Sequence, residues 1–251
     1  MSTANKTVLL AGTSSLYPEL KQLLESDSYR VVSLEQLDEY KHEVRLALEV
    51  NNLDLAKKKS TIKQMDTLLP ANIPILTSSL AITATEVASW TEYPERVCGF
   101  GTFVPLVERA LFEVAPALQS APSIIEQASS FFVSFGKEVE IVEDEVGLVF
   151  PRILSLIINE AVFAVMEGTA TPEDIDIAMK KGTNYPYGPL EWGDRIGLDE
   201  VFSVIRGLHR DLAEERYRPA PLLRKLVLAG RVGVRSGRGF YSYEKQEVYQ
   251  P

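Results

Sequence analysis

The stretch "TVLLAGTSSLYPELKQLLES", residues 7–26, decides how the fold is read. Residues 7–12 form an apolar, strand-prone run, and residues 18–26 set leucines at spacings of three and four, so a strand passes into a helix through the small polar turn "GTSS". The same alternation continues outward from it. "YRVVSL" (29–34), "EVRLAL" (43–48), "IPILTS" (73–78), "RVCGFGTF" (96–103), "ERALFEV" (108–114) and "EVEIVE" (138–143) read as further strands. "LAKKKSTIKQMDTLL" and "SIIEQASSFFVSFG" between them read as helices. Strand–helix–strand alternation puts successive strands parallel and covers both sheet faces, which predicts an α/β doubly wound, mainly parallel sheet.

After Gly147 the pattern changes to helices alone. "LVFPRILSLIINEAVFAVMEG" (148–168) is apolar nearly all round and predicts a core or interface helix. "TPEDIDIAMKKG" carries the signals of a complete helix: Thr171 as N-cap, Pro172 in the first turn, acids following, then lysines and Gly182 as the stop. The organisation expected is therefore a sheet domain over residues 1–147 and an all-helical domain over 148–251.

Composition narrows the function. The chain has 251 residues, 45% of them hydrophobic, and a formal charge of −9. That charge opposes non-specific attraction to nucleic acid or anionic membrane. Cys98 is the single cysteine, so no intramolecular disulfide can form, and no metal site is expected. The N-terminus lacks a basic flank followed by a long apolar run, and a reducing cytoplasmic setting is the expectation.

Four segments carry a family resemblance: "NNLDLAKKK" (51–59), "LTSSLAIT" (76–83), "GTNYPYGPLEWGDRIGLD" (182–199) and "RYRPAPLLRKLVLAGRVGVRSGRGFYSY" (216–243). Their order resembles that of the 3-hydroxyacyl-CoA dehydrogenases over nearly the whole chain. The resemblance implies a Rossmann-type NAD domain followed by a helical domain that makes a homodimer. It also implies oxidation of a 3-hydroxyl group, with hydride passing to NAD and a glutamate-held histidine taking the proton.

Aligned to the family's H-F-F-N-P motif, residues 101–105 place Gly101 at the histidine and Glu113 at its glutamate partner. Read from its strand alone, Glu113 would lie on a solvated face. Ser78 retains the substrate-side serine, whereas Pro151 stands at the asparagine. A serine pair ending a strand is also an ordinary turn or helix cap. His42 and His209 fall where the family assigns no catalytic role.

For the cofactor, the resemblance sets Gly12, Ser14 and Tyr17 at the three fingerprint glycines and Glu35 at the ribose-binding acid. Only "LDEYKH" (37–42) stands where the family inserts the long helical arm that helps hold CoA. Lys57, Lys58 and Lys59 read as a solvated helix face. The reading that results is a degenerate homologue with a scaffold, binding or partner-subunit role and an acyl-CoA as possible ligand. The alternative is a working NAD-dependent dehydrogenase with an atypical site.

Overall fold

A computed structural model describes residues 6–243; residues 1–5, on which the absence of a leader segment was read, and 244–251 lie outside the described residues. Two compact units divide after Val149.

The first unit is a seven-stranded sheet. In chain order it runs β1 (Thr7–Ala11), α1 (Leu16–Ser26), β2 (Arg30–Val32), α2 (Leu37–Tyr40), β3 (Val44–Glu49), α3 (Leu55–Leu68), β4 (Ile75–Ser78), α4 (Ala84–Ala88), β5 (Val97–Gly101), β6 (Leu111–Pro116), α5 (Pro122–Val133) and β7 (Glu138–Ile141). The strand order is β2-β1-β3-β4-β5-β6-β7. All neighbours are parallel except β5 and β6. The connection reverses direction between β1 and β3, and the crevice outside the carboxyl ends there is the ligand position of doubly wound sheets.

Alternation along the strands sends side chains to two cores. Val8, Leu10, Leu46, Leu48, Phe100 and Phe112 pack under α1 and α5, while Leu9, Ala47, Ile75 and Val97 pack under α3 and α4. Phe132 of α5 stacks on Phe112 with ring centroids 4.5 Å apart.

All seven expected strands form, with shifted limits. Residues 34–36 turn into a 3-10 segment instead of extending β2, and β6 begins at Leu111 because residues 106–108 form another such turn. Where the family resemblance implies a long arm, residues 37–40 make the single-turn helix α2.

The second unit contains α6 (Phe150–Met166), α7 (Pro172–Thr183), α8 (Pro189–Ile196), α9 (Leu198–Leu212) and α10 (Pro221–Leu228). Thr171 Oγ1 accepts from Asp174 N at 3.2 Å, as an N-cap should. Gly182 does not stop α7; it lies inside the helix, and Asn184 ends it in the left-handed conformation at φ +58°. α6 buries Leu154, Ile158 and Val162 but leaves Ile153 and Met166 exposed, so it is not buried on all sides.

Two buried carboxylates pin this unit. Asp176 accepts from Leu190 N and Glu191 N, both at 2.8 Å, and from the Tyr241 hydroxyl at 2.7 Å. Asp194 accepts from Phe240 N, Tyr241 N and the Tyr243 hydroxyl. Burial pushes the Asp194 carboxyl and both phenols above their ordinary values.

Candidate active site

The carboxyl ends of the strands gather the residues of interest. Gly101 closes β5 and is the register partner of Glu113 across the antiparallel pair. The alignment had paired these two positions, and the sheet puts them side by side. Glu113 is only 4% exposed, contrary to its reading as a solvated carboxylate, because β6 is an interior strand with β5 and β7 on its flanks. Its Oε2 accepts from Val149 N at 2.8 Å.

The space in front of Gly101 is filled. A β-carbon built there would lie 2.5 Å from Leu148 Cδ1 and 3.3 Å from Leu80 Cδ2. Of the two histidines, His42 is exposed in the loop before β3, and His209 lies on α9 of the second unit.

Ser78 ends β4 fully buried, and its hydroxyl has no hydrogen-bond partner. It caps nothing; the cap of α4 is Thr83, whose Oγ1 accepts from Glu86 N at 3.2 Å. Pro151, at the family's asparagine, is buried in the first turn of α6 and belongs to the second unit.

The turn between β1 and α1 keeps the geometry of a first fingerprint glycine. Gly12 adopts φ +141°, and a β-carbon there would meet Val50 at 2.7 Å, so a side chain is excluded. Two of the backbone donors beyond it are committed within the chain. Ser14 N donates to Val50 O at 3.3 Å, and Leu16 N donates to Ser14 Oγ at 3.3 Å. Tyr17 packs against the core under α1. Glu35 lies exposed in the 3-10 turn after β2, and a hydrogen bond with Ser33 holds its carboxyl below the ordinary range.

Lys58 corrects the reading of 57–59 as a solvated face. Lys57 and Lys59 are exposed, but Lys58 is fully buried in an ion pair with the equally buried Glu49. Its ammonium also donates to Asn51 O at 3.1 Å and Ser78 O at 3.0 Å. Glu49 accepts in addition from Thr77 Oγ1 at 2.9 Å and from Asn51 N and Nδ2 at 2.7 and 2.8 Å. Thr13 Oγ1 donates to Asn51 Oδ1, so the network reaches the β1 turn. Sequence reasoning missed this network; the signal that could have found it is Glu49 itself, an acid in the otherwise apolar run "LALEV". Among the described residues no group of three or more His, Cys, Asp or Glu side chains could hold a metal ion. No described helix is long and apolar enough to cross a membrane.

A doubly wound sheet whose connection reverses between β1 and β3, followed by a helical unit, defines the class: a dinucleotide-type α/β domain joined to an α domain. The comparisons agree. Residues 19–145 match the 3-hydroxyacyl-CoA dehydrogenase NAD binding domain, and residues 147–243 match the C-terminal domain of the same family. The "Probable 3-hydroxybutyryl-CoA dehydrogenase" of Bacillus subtilis is 37% identical over 215 residues, covering 86% of this chain and 75% of the relative. The 3-hydroxybutyryl-CoA dehydrogenase of Bradyrhizobium diazoefficiens is 36% identical over 216 residues, covering 85% and 73%. The crystal structure of (S)-3-hydroxybutyryl-CoA dehydrogenase from Ralstonia eutropha superposes with a TM-score of 0.75 at 28% identity, covering 96% of this chain and 99% of that one. The chain belongs to the 3-hydroxyacyl-CoA dehydrogenase family.

Proposed function

We propose that this chain is a family member with little or no dehydrogenase activity, retained as a binding or partner subunit. The observation that carries the reading is Gly101 facing Glu113 with the Leu148 side chain in the space a base would use. Removing a hydroxyl proton in step with hydride transfer needs an acceptor at the carbinol oxygen, and a positioned general base contributes about 10²–10⁴ in rate. Among the described residues of the first unit no imidazole stands there: its one histidine, His42, lies in the loop before β3.

The residues at the β1 turn do not fit a dinucleotide pyrophosphate. Such a site presents backbone N–H groups at a helix N-terminus to the anion. Here Ser14 N and Leu16 N are already satisfied by Val50 O and Ser14 Oγ. The match to the family's NAD binding domain begins at residue 19, beyond this turn.

The second reading, a working NAD-dependent dehydrogenase acting on an acyl-CoA, is favoured by the identity to named dehydrogenases and by the unpartnered Ser78 hydroxyl. Calorimetry with NADH, NAD and acetoacetyl-CoA decides between them. No heat at micromolar concentration is the result expected. Binding of both cofactor and CoA ester, with NADH consumption, would reinstate the dehydrogenase. The proposal includes a cytoplasmic setting and a homodimer through the helical unit.

A further inference from the structure

The base position holds more than an absence. Gly147 and Leu148 both adopt left-handed backbone, at φ +76° and +52°. Glycine accepts this freely, but a leucine does so only where its surroundings over-determine it. Three successive N–H groups are tied down there. Gly147 N donates to Ser79 O at 3.2 Å, Leu148 N to Glu145 O at 3.0 Å and Val149 N to Glu113 Oε2 at 2.8 Å. The backbone so held delivers the Leu148 side chain, 3% exposed, against Gly101.

We infer that Leu148 and Glu113 make the base position a structural joint, in which the packing of residues 101 and 148 is energetically coupled. The isobutyl group takes the volume beside Gly101, and the Val149 N–H supplies the carboxylate with a donor. Each half requires the other. A side chain at 101 would have to displace the end of the Leu148 side chain, and a smaller residue at 148 would leave a void beside Gly101. The role rests on the functional reading above, because it assigns Glu113 to the chain's own backbone rather than to an imidazole.

The test is a double-mutant cycle in the full chain, using Gly101→Ala, Leu148→Ala and the two combined, followed by thermal unfolding. Gly101→Ala is expected to lower Tm by about 3–8 °C in the native background through overpacking. In the Leu148→Ala background the same change should be neutral or raise Tm, since the added methyl enters a void. Equal losses in both backgrounds would overturn the joint.

A second readout is one that mere packing would not move. In Gly101→His combined with Leu148→Ala, the new imidazole should titrate above the ordinary value of about 6.5 by NMR, and adding Glu113→Gln should bring it down. Gly101→His alone should show no such raised titration, because Leu148 still holds the space; a raised value in that single variant would refute the coupling. Failure here is separable from failure of the functional reading. NADH and acetoacetyl-CoA binding by the native protein would sink the latter, whereas additivity in the cycle sinks the joint whatever the native protein binds.

Discussion

Lys58 and Glu49 form an ion pair at the carboxyl end of β3 in which neither side chain has any exposed surface. Charges this deep hold only because each is surrounded by partners: two carbonyls and a carboxylate for the ammonium, a hydroxyl and two amide donors besides it for the carboxylate. Lys58→Met strands the Glu49 charge in the interior and should cost about 3–5 kcal/mol in urea unfolding. Adding Glu49→Gln, which removes that charge, should recover part of the loss. A single variant as stable as the native chain would show that the pair is not closed to water.

Glu19 on α1 gives a pH dependence. Its carboxylate accepts from Leu106 N, and burial raises its carboxyl above the ordinary 4.5. An acid with a raised folded value holds its proton more tightly folded than unfolded, so its contribution to stability falls as pH rises through the window above 4.5. Glu19→Gln keeps an oxygen for Leu106 N and removes the ionisation. The Tm of the variant relative to the native chain should therefore be more favourable at pH 7.5 than at pH 4. A difference that ran the opposite way with pH would refute the assignment.

Asp176 supports the start of α8 by accepting from Leu190 N and Glu191 N, and it receives the Tyr241 hydroxyl as well. Asp176→Ala leaves buried donors unmatched and removes a cap, so the loss should be about 2–4 kcal/mol. Amide exchange at 190–196 should accelerate with it. Tyr241→Phe, which deletes one of the three bonds, should cost less, and an equal or larger effect would show that the hydroxyl rather than the cap is what matters.

The helical unit should associate. Ile153, Met166, Ile177 and Leu228 are exposed large apolar side chains on α6, α7 and α10. Covering such surface across a two-fold axis is the usual solution for a small helical domain. Light scattering at micromolar concentration should give twice the 27.9 kDa chain mass. A monomer would exclude the dimer, and Ile153→Lys with Leu228→Lys should produce one if these residues form its contact.

The sequence by itself determined the order of elements and the division into a sheet unit and a helical unit, because burial on one face repeats with a local period that neighbouring residues reveal. The family resemblance also set Gly101 and Glu113 together as a pair, and the antiparallel register of β5 and β6 puts them side by side. Element limits were less legible: the left-handed Asn184, not Gly182, ends α7, because a glycine signals a stop only where the backbone reverses. Only the tertiary structure decided that Lys58 is interior while Lys57 and Lys59 are not. A lysine in a basic run is solvated unless a distant strand brings it a carboxylate, and Glu49 is nine residues away in sequence but adjacent in space. Leu148 was equally hidden. The backbone around it is held by the nearby Glu145 and by Ser79 and Glu113, which are remote in sequence, and no local pattern encodes those two distant contacts.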